Sequence, residues 1–324
     1  MASTTDLQRR ACEPLVDRPH AYVLSRLAGS SMPMPDNPEW PMPRANAVTY
    51  LLGTRFYRMA YVEFGNPAAP AVLCVHGLTR NGRDFDTLAE ALADRFHVIC
   101  PDLPGRGKSE WLPEPMAYQP PSYVVALAHL LAALNKPVAW VGTSLGGICG
   151  MLTAAAQGTP ITRLVLNDIG PHIPVAALQR IRAYMLDAPE RFETMAAMTA
   201  HLRTVHAPFG ALSDAQWAAL ARHSGRPVLG ESGGGAFAMH YDPRIIEPMR
   251  APIQLDVDLW PVWEQIEVPR LVIRGESSDL LLEETYDRMR EEGAQGHVVV
   301  DAGHAPALMD APTIAVIRAF LTEG

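Results

Sequence analysis

Long apolar runs are missing: no window of the 324 residues approaches 18 unbroken apolar positions, which excludes a membrane-spanning helix. A basic surplus is missing too. Lys and Arg number 27 against 35 Asp and Glu, and the net charge of −8 argues against a nucleic-acid binder, which carries a basic face. Cysteine is scarce, at four (Cys12, Cys74, Cys100 and Cys149), mostly inside apolar runs and without metal-ligand spacing. Such usage fits reduced, core-packed thiols in a cytoplasmic protein. Residues 1–13 are polar and lack the apolar core of a secretory signal. No internal repeat, dinucleotide fingerprint or metal cluster is visible. Gly105-Arg106-Gly107-Lys108-Ser109 ends like a phosphate-binding loop, but the glycine required five residues before Gly107 is Asp102. The expectation is therefore a protein without cofactor or metal, and without a nucleic-acid or membrane partner. Oligomeric state is not legible.

What is present is core material. Hydrophobic residues make up 48% and charged residues 19%, enough for a large interior. The length fits two domains, or one α/β domain carrying an insertion. Residues 1–46 hold a proline-rich stretch at 32–43, which reads as an extended arm or a disordered tail. Apolar, β-rich runs then recur at 71–76, 96–100, 138–142, 161–166, 270–274 and 297–300. Helix-like stretches lie between several of them, at 84–94, 122–134, 145–156, 282–292 and 313–321. Short strands apolar almost throughout, alternating with helices, predict an α/β fold: a mostly parallel central sheet with helices on both faces. Runs at 48–52 and 57–62 have no helix between them and predict an antiparallel hairpin at the sheet edge. About a hundred residues then separate the run ending at Leu166 from the next at Arg270, too long for a bare loop. The expected organisation is an α/β core at 47–170 and 261–324, with a mostly helical cap at 171–260.

The pattern G-x-S-x-G occurs twice, at Gly142-Thr143-Ser144-Leu145-Gly146 and at Gly230-Glu231-Ser232-Gly233-Gly234. Context separates the two. Ser144 follows a clear strand and opens a helix, the strained turn that lifts a nucleophilic hydroxyl above a sheet. Ser232 runs into more glycine. A serine hydroxyl needs a base, and of the 11 histidines His304 is best placed, in a loop past the last strand. The imidazole needs a carboxylate to fix its tautomer. Asp279, after the penultimate strand, is favoured; Glu276 on the same loop and Asp168 after the strand RLVLN are the alternatives. Asp168 also reads simply as a helix or loop cap. Negative charge on a carbonyl oxygen needs preorganised donors, and the backbone N–H groups of Leu78 and Leu145 are placed to supply two. His76 packs or hydrogen-bonds beneath that turn.

The segments HGLTRNGRDFD, PDLPGRGKS, GTSLGG, LNDIGP, RGESSDLL and GHAPALMD together resemble the α/β-hydrolase superfamily, from residue 48 to the C-terminus. The resemblance implies a Ser144–Asp279–His304 triad, an oxyanion hole at Leu78 and Leu145, and a lid between the sixth and seventh strands of that fold. Asp279 lies four residues past Gly275, where three is common in the superfamily, which keeps Glu276 open. A serine nucleophile argues against haloalkane dehalogenase and epoxide hydrolase chemistry. The expected activity is cleavage of carboxylic esters, or of lactones or thioesters, with small to medium apolar groups. Carbon–carbon hydrolysis, acyl transfer and a receptor that binds without turnover are the alternatives.

Overall fold

The computed structural model describes residues 43–230 and 235–323. The arm expected at 1–46 lies outside them up to residue 42, as does Ser232. From Arg44 the chain is already strand: β1 (Arg44–Leu52) pairs antiparallel with β2 (Arg55–Phe64) in an edge hairpin. The helix-free pair of apolar runs predicted this hairpin, though not its start at residue 44.

Beyond it come β3 (Ala71–Val75), α1 (Asp86–Leu92), β4 (His97–Pro101), α2 (Pro120–Leu134), β5 (Val138–Thr143), α3 (Leu145–Ala154) and β6 (Ile161–Asn167). After a long excursion the core resumes with β11 (Arg270–Gly275), α8 (Glu283–Glu291), β12 (Gln295–Val299) and α9 (Ala311–Thr322). The eight strands lie in the order β1-β2-β4-β3-β5-β6-β11-β12, parallel from β4 to β12. Residues of β3 and β4 are buried throughout, as strands covered on both faces must be.

Side chains alternate across the sheet and feed two cores. On one face Leu73, Trp140, Leu164 and Val272 pack with Tyr123 and Leu127 of α2 and Cys149 of α3. On the other, Val72, Val141, Val165 and Ile273 pack with Leu88 and Leu92 of α1 and Ile317 and Phe320 of α9. Local rules set the helix ends. Asp310 caps α9 by accepting the Thr313 N–H at 2.8 Å, and Asn135, in the left-handed region, closes α2.

β6 and β11 are neighbours in the sheet, so residues 168–269 leave it and return to the adjacent position. This excursion holds β7 (His172–Ile173), α4 (Val175–Leu186), α5 (Met195–Val205), α6 (Asp214–Ser224), β8 (Gly225–Leu229), β9 (Gly235–Met239), β10 (Val257–Asp258) and the single turn α7 (Trp260–Trp263). The three long helices, α4, α5 and α6, agree with the mostly helical character expected of residues 171–260. β8 and β9 pair antiparallel on either side of the glycine-rich stretch, whose residues 231–234 lie outside the described residues. The excursion is pinned near the end of β3: Asn81 Nδ2 donates to the His223 carbonyl at 2.9 Å, and Arg80 Nη1 to Ser224 Oγ at 3.0 Å.

Candidate active site

β5 delivers Ser144 to a turn that few side chains tolerate, with φ 51° and ψ −115°. The surrounding bonds over-determine it. The Ser144 N–H donates to the Asn167 carbonyl at 3.0 Å, and the Ser144 carbonyl accepts from the N–H groups of Gly147 and Ile148. Glycine is required at 146, where a Cβ would run into the Val75 carbonyl. Strain held this way keeps the hydroxyl in one position.

Ser144 Oγ lies 3.0 Å from His304 Nε2. His304 is carried by the loop after β12, and the excursion grips this loop on both sides of it. Gly303 N–H donates to the Pro208 carbonyl at 2.8 Å, and Ala307 N–H to the Phe209 carbonyl at 3.1 Å.

The carboxylate on the far side of the imidazole is Asp168, with Oδ2 2.8 Å from His304 Nδ1. Asp168 is fully buried, at the end of β6, with φ +54°. Its Oδ1 accepts the Gly275 N–H at 2.8 Å, and its Oδ2 also accepts the Ser278 hydroxyl at 2.6 Å. The expectation for Asp279 is thereby corrected. Asp279 is exposed and forms a two-pronged ion pair with Arg180 of α4, at 2.5 and 2.7 Å. Glu276 is exposed as well, with its carboxylate 3.3 Å from the Asp301 N–H. The loop after β11 turns Ser278 and Leu280 inward, so Asp279 between them points out. Ser278 itself was missed by sequence reasoning, because only the position of Asp168 gives its hydroxyl a partner.

The two backbone N–H groups expected to receive a carbonyl oxygen lie on two elements. Leu145 is the first residue of α3, where an N–H has no partner one turn back and faces the positive end of the helix dipole. Leu78 follows Gly77, whose missing Cβ would sit 3.7 Å from the Ser144 Cβ, so this backbone passes close over the serine. Leu78, Ser144 and Leu145 line one cavity of about 240 Å³. Its other walls are mainly aliphatic, among them Ile148, Ile169, Leu178, Ile181 and Met249, and no charged side chain is among its lining residues.

His76 lies beneath the turn as a neutral ring. Burial drives its pKa down to about 3, its Nε2 accepts the Leu103 N–H at 2.9 Å, and its Nδ1–H donates to the Gly77 carbonyl at 2.7 Å. It serves the architecture and is not a second base. Among the described residues no group of three or more His, Cys, Asp or Glu side chains is arranged to hold a metal. No described helix is long and apolar enough to cross a membrane.

A serine on a strained strand-to-helix turn, contacting a histidine backed by a buried aspartate, invites comparison with known hydrolases. The model of the alpha/beta hydrolase family matches residues 72–319. The chain belongs to the alpha/beta hydrolase family. A 3-hydroxybutyrate-oligomer hydrolase of Cupriavidus necator is 44% identical over 291 residues, covering 86% of this chain and 98% of the relative. A crystal structure of an alpha/beta hydrolase from Novosphingobium aromaticivorans superposes with a TM-score of 0.75 at 37% identity, covering 86% of this chain and 98% of that one. A 2-(acetamidomethylene)succinate hydrolase of Mesorhizobium japonicum is 30% identical over 66% of this chain and 73% of its own. This alpha/beta hydrolase is an enzyme, and its similarity to the 3-hydroxybutyrate-oligomer hydrolase is consistent with an esterase.

Proposed function

We propose that this hydrolase cleaves carboxylic esters through an acyl-enzyme on Ser144. The observation that carries the reading is the chain of contacts from Ser144 Oγ to His304 Nε2 and from His304 Nδ1 to the buried Asp168, at 3.0 and 2.8 Å. His304 Nε2 takes the hydroxyl proton as Oγ attacks the acyl carbonyl. Asp168 accepts the Nδ1–H, holds that tautomer and steadies the imidazolium. The N–H groups of Leu78 and Leu145 receive the negative oxygen. The imidazolium then protonates the departing alkoxide, leaving the acyl group on Oγ. A water deprotonated by His304 attacks that ester, and the proton returns to Ser144 as the acid departs.

The substrate class follows from the cavity and from the Cupriavidus relative: short linear esters of 3-hydroxybutyrate, whose methyl-bearing units match aliphatic walls. An acyl group bearing a carboxylate, as a succinate derivative would, meets no cation in this cavity. The residues between β6 and β11 act as a cap that supplies Leu178 and Ile181 to the wall. The test is release of 3-hydroxybutyrate from its dimer and trimer, beside a panel of chromogenic esters, by wild type and Ser144→Ala. Loss of about 10⁴-fold or more in turnover by a folded variant is the expected result. Activity retained in Ser144→Ala overturns the mechanism, and wild-type activity on simple esters without oligomer cleavage overturns the substrate assignment alone.

A further inference from the structure

Arg106 is a guanidinium with no exposed surface. Its Nε donates to the Leu78 carbonyl at 2.9 Å, and its Nη1 to the Pro104 carbonyl at 2.7 Å and the Tyr123 hydroxyl at 2.6 Å. The cation lies over the rings of Tyr123 and Tyr118, 4.8 and 5.6 Å from their centroids. Both tyrosines line the cavity above Ser144, while Arg106 does not. Nη2 is buried and has no hydrogen-bond partner, and no described carboxylate pairs with the group.

A purely structural crosslink would not need this charge. Burying an ion without a counter-ion is costly, and an apolar replacement of similar volume is often the more stable solution. The charge therefore calls for a use. It is bonded to Leu78, which lines the cavity beside Ser144 and is read as an oxyanion donor, in surroundings where water cannot screen it, so it acts more strongly there than a surface cation would. Its field adds to the burial that keeps His76 and His240 neutral.

We propose that Arg106 is a positioning residue for ester hydrolysis: its fork fixes the Leu78 segment, and its unneutralised charge stands behind the site where the carbonyl oxygen becomes negative. The proposal rests on the reading of Ser144 as nucleophile and of Leu78 as an oxyanion donor. It deepens that reading, because a preorganised positive charge is felt more in the transition state than in the bound ester.

The experiment compares wild type, Arg106→Lys and Arg106→Gln on a short chromogenic ester, with thermal unfolding as the check on folding. Alongside kinetics it measures affinity for an alkylboronic acid, which forms a tetrahedral anion on a serine hydroxyl, and for butyramide, a neutral ground-state ligand. The expected result for Arg106→Gln is a fall in kcat of about 100-fold, with KM within about threefold. Boronate affinity should fall in parallel while butyramide affinity holds. Arg106→Lys, which keeps charge but loses the fork, should fall between the two. A loss below threefold in kcat, or a fall matched by an equal rise in KM, overturns the proposal. So does equal impairment of the Lys and Gln variants. If Arg106→Gln does not fold, the same kcat and boronate measurements on Arg106→Lys decide. Wild type inactive on every ester would instead sink the hydrolase reading, a result no Arg106 variant can produce.

Discussion

Ser278 Oγ and His304 Nδ1 meet the same carboxylate oxygen, Oδ2 of Asp168, at 2.6 and 2.8 Å. One hydroxyl from the loop after β11 and one imidazole from the loop after β12 thus converge on an acid supplied by β6. The acid is fixed from three sides, since the Gly275 N–H holds its other oxygen.

Asp168→Asn should lower kcat by about 10⁴, because the amide favours the wrong imidazole tautomer. Asp279→Asn should leave kcat/KM within about threefold and cost at most about 1 kcal/mol of stability, as exposed ion pairs do. Steady-state kinetics of the two variants side by side settles the acid. The reverse ranking would return the role to Asp279.

Ser278→Ala removes a hydroxyl that donates to Asp168 and accepts from the N–H groups of Leu280 and Leu281. Losing a hydrogen bond to a charged group costs about 1.5–3 kcal/mol, and a fall in kcat of about tenfold is the expected share borne by catalysis. An unchanged kcat with a lowered unfolding temperature would confine Ser278 to holding its loop.

Acyl chain length should show an optimum. At about 30 Å³ per heavy atom, the density of liquid water, roughly eight such atoms fill the cavity of about 240 Å³. Each methylene should improve kcat/KM by at most about 0.8 kcal/mol until the space is full, after which efficiency drops. Leu178→Trp should move the optimum to shorter chains. Efficiency still rising at the longest esters would mean that the cavity opens into a groove.

Stability should fall with acid well before the carboxylates titrate. His76, His206 and His240 are buried, and burial holds each below the ordinary value of 6.5, His76 at about 3. The unfolded chain then binds more protons than the folded one, so the unfolding free energy declines as pH drops from about 6.5 toward 3. Three such groups give a limiting slope of about 4 kcal/mol per pH unit. Urea midpoints at pH 7.5, 6 and 5 measure it, and a flat profile would show that these rings take up protons in the fold as readily as in the unfolded chain.

Gly146→Ala should abolish activity and destabilise the fold, since the added methyl meets the Val75 backbone rather than a movable side chain. Overpacking of this kind costs about 1–3 kcal/mol or more. Circular dichroism and ester turnover would check both effects.

Periodicity made the sheet and its helices legible, because strands buried on both faces cannot be mistaken for surface. The strand-to-helix turn at Ser144 was legible for the same reason. The carboxylate that meets His304 was not. Two carboxylates flanked Ser278, and nothing in the residue types tells which way each position of an irregular loop faces. The sheet order explains the outcome: β6 is beside β5, one strand spacing of about 4.8 Å from the serine, whereas β11 is the next strand out. LNDIGP held the aspartate that reaches His304, and cap and acid readings of Asp168 differ only in what its side chain reaches. The pairing of β8 with β9 was not legible, because five-residue runs such as GRPVL and GAFAM carry little strand periodicity.

The two amide-to-carbonyl ties on either side of His304 make the excursion a poor candidate for cassette exchange. Pro208 and Phe209 supply backbone carbonyls to Gly303 and Ala307, so the loop carrying His304 is held by the same excursion that supplies Leu178 and Ile181 to the cavity wall. Specificity engineering by transplanting a foreign roof between β6 and β11 would cut those ties and cost rate whatever the new walls accept. Point changes on the faces of α4, leaving residues 207–209 untouched, separate selectivity from base alignment.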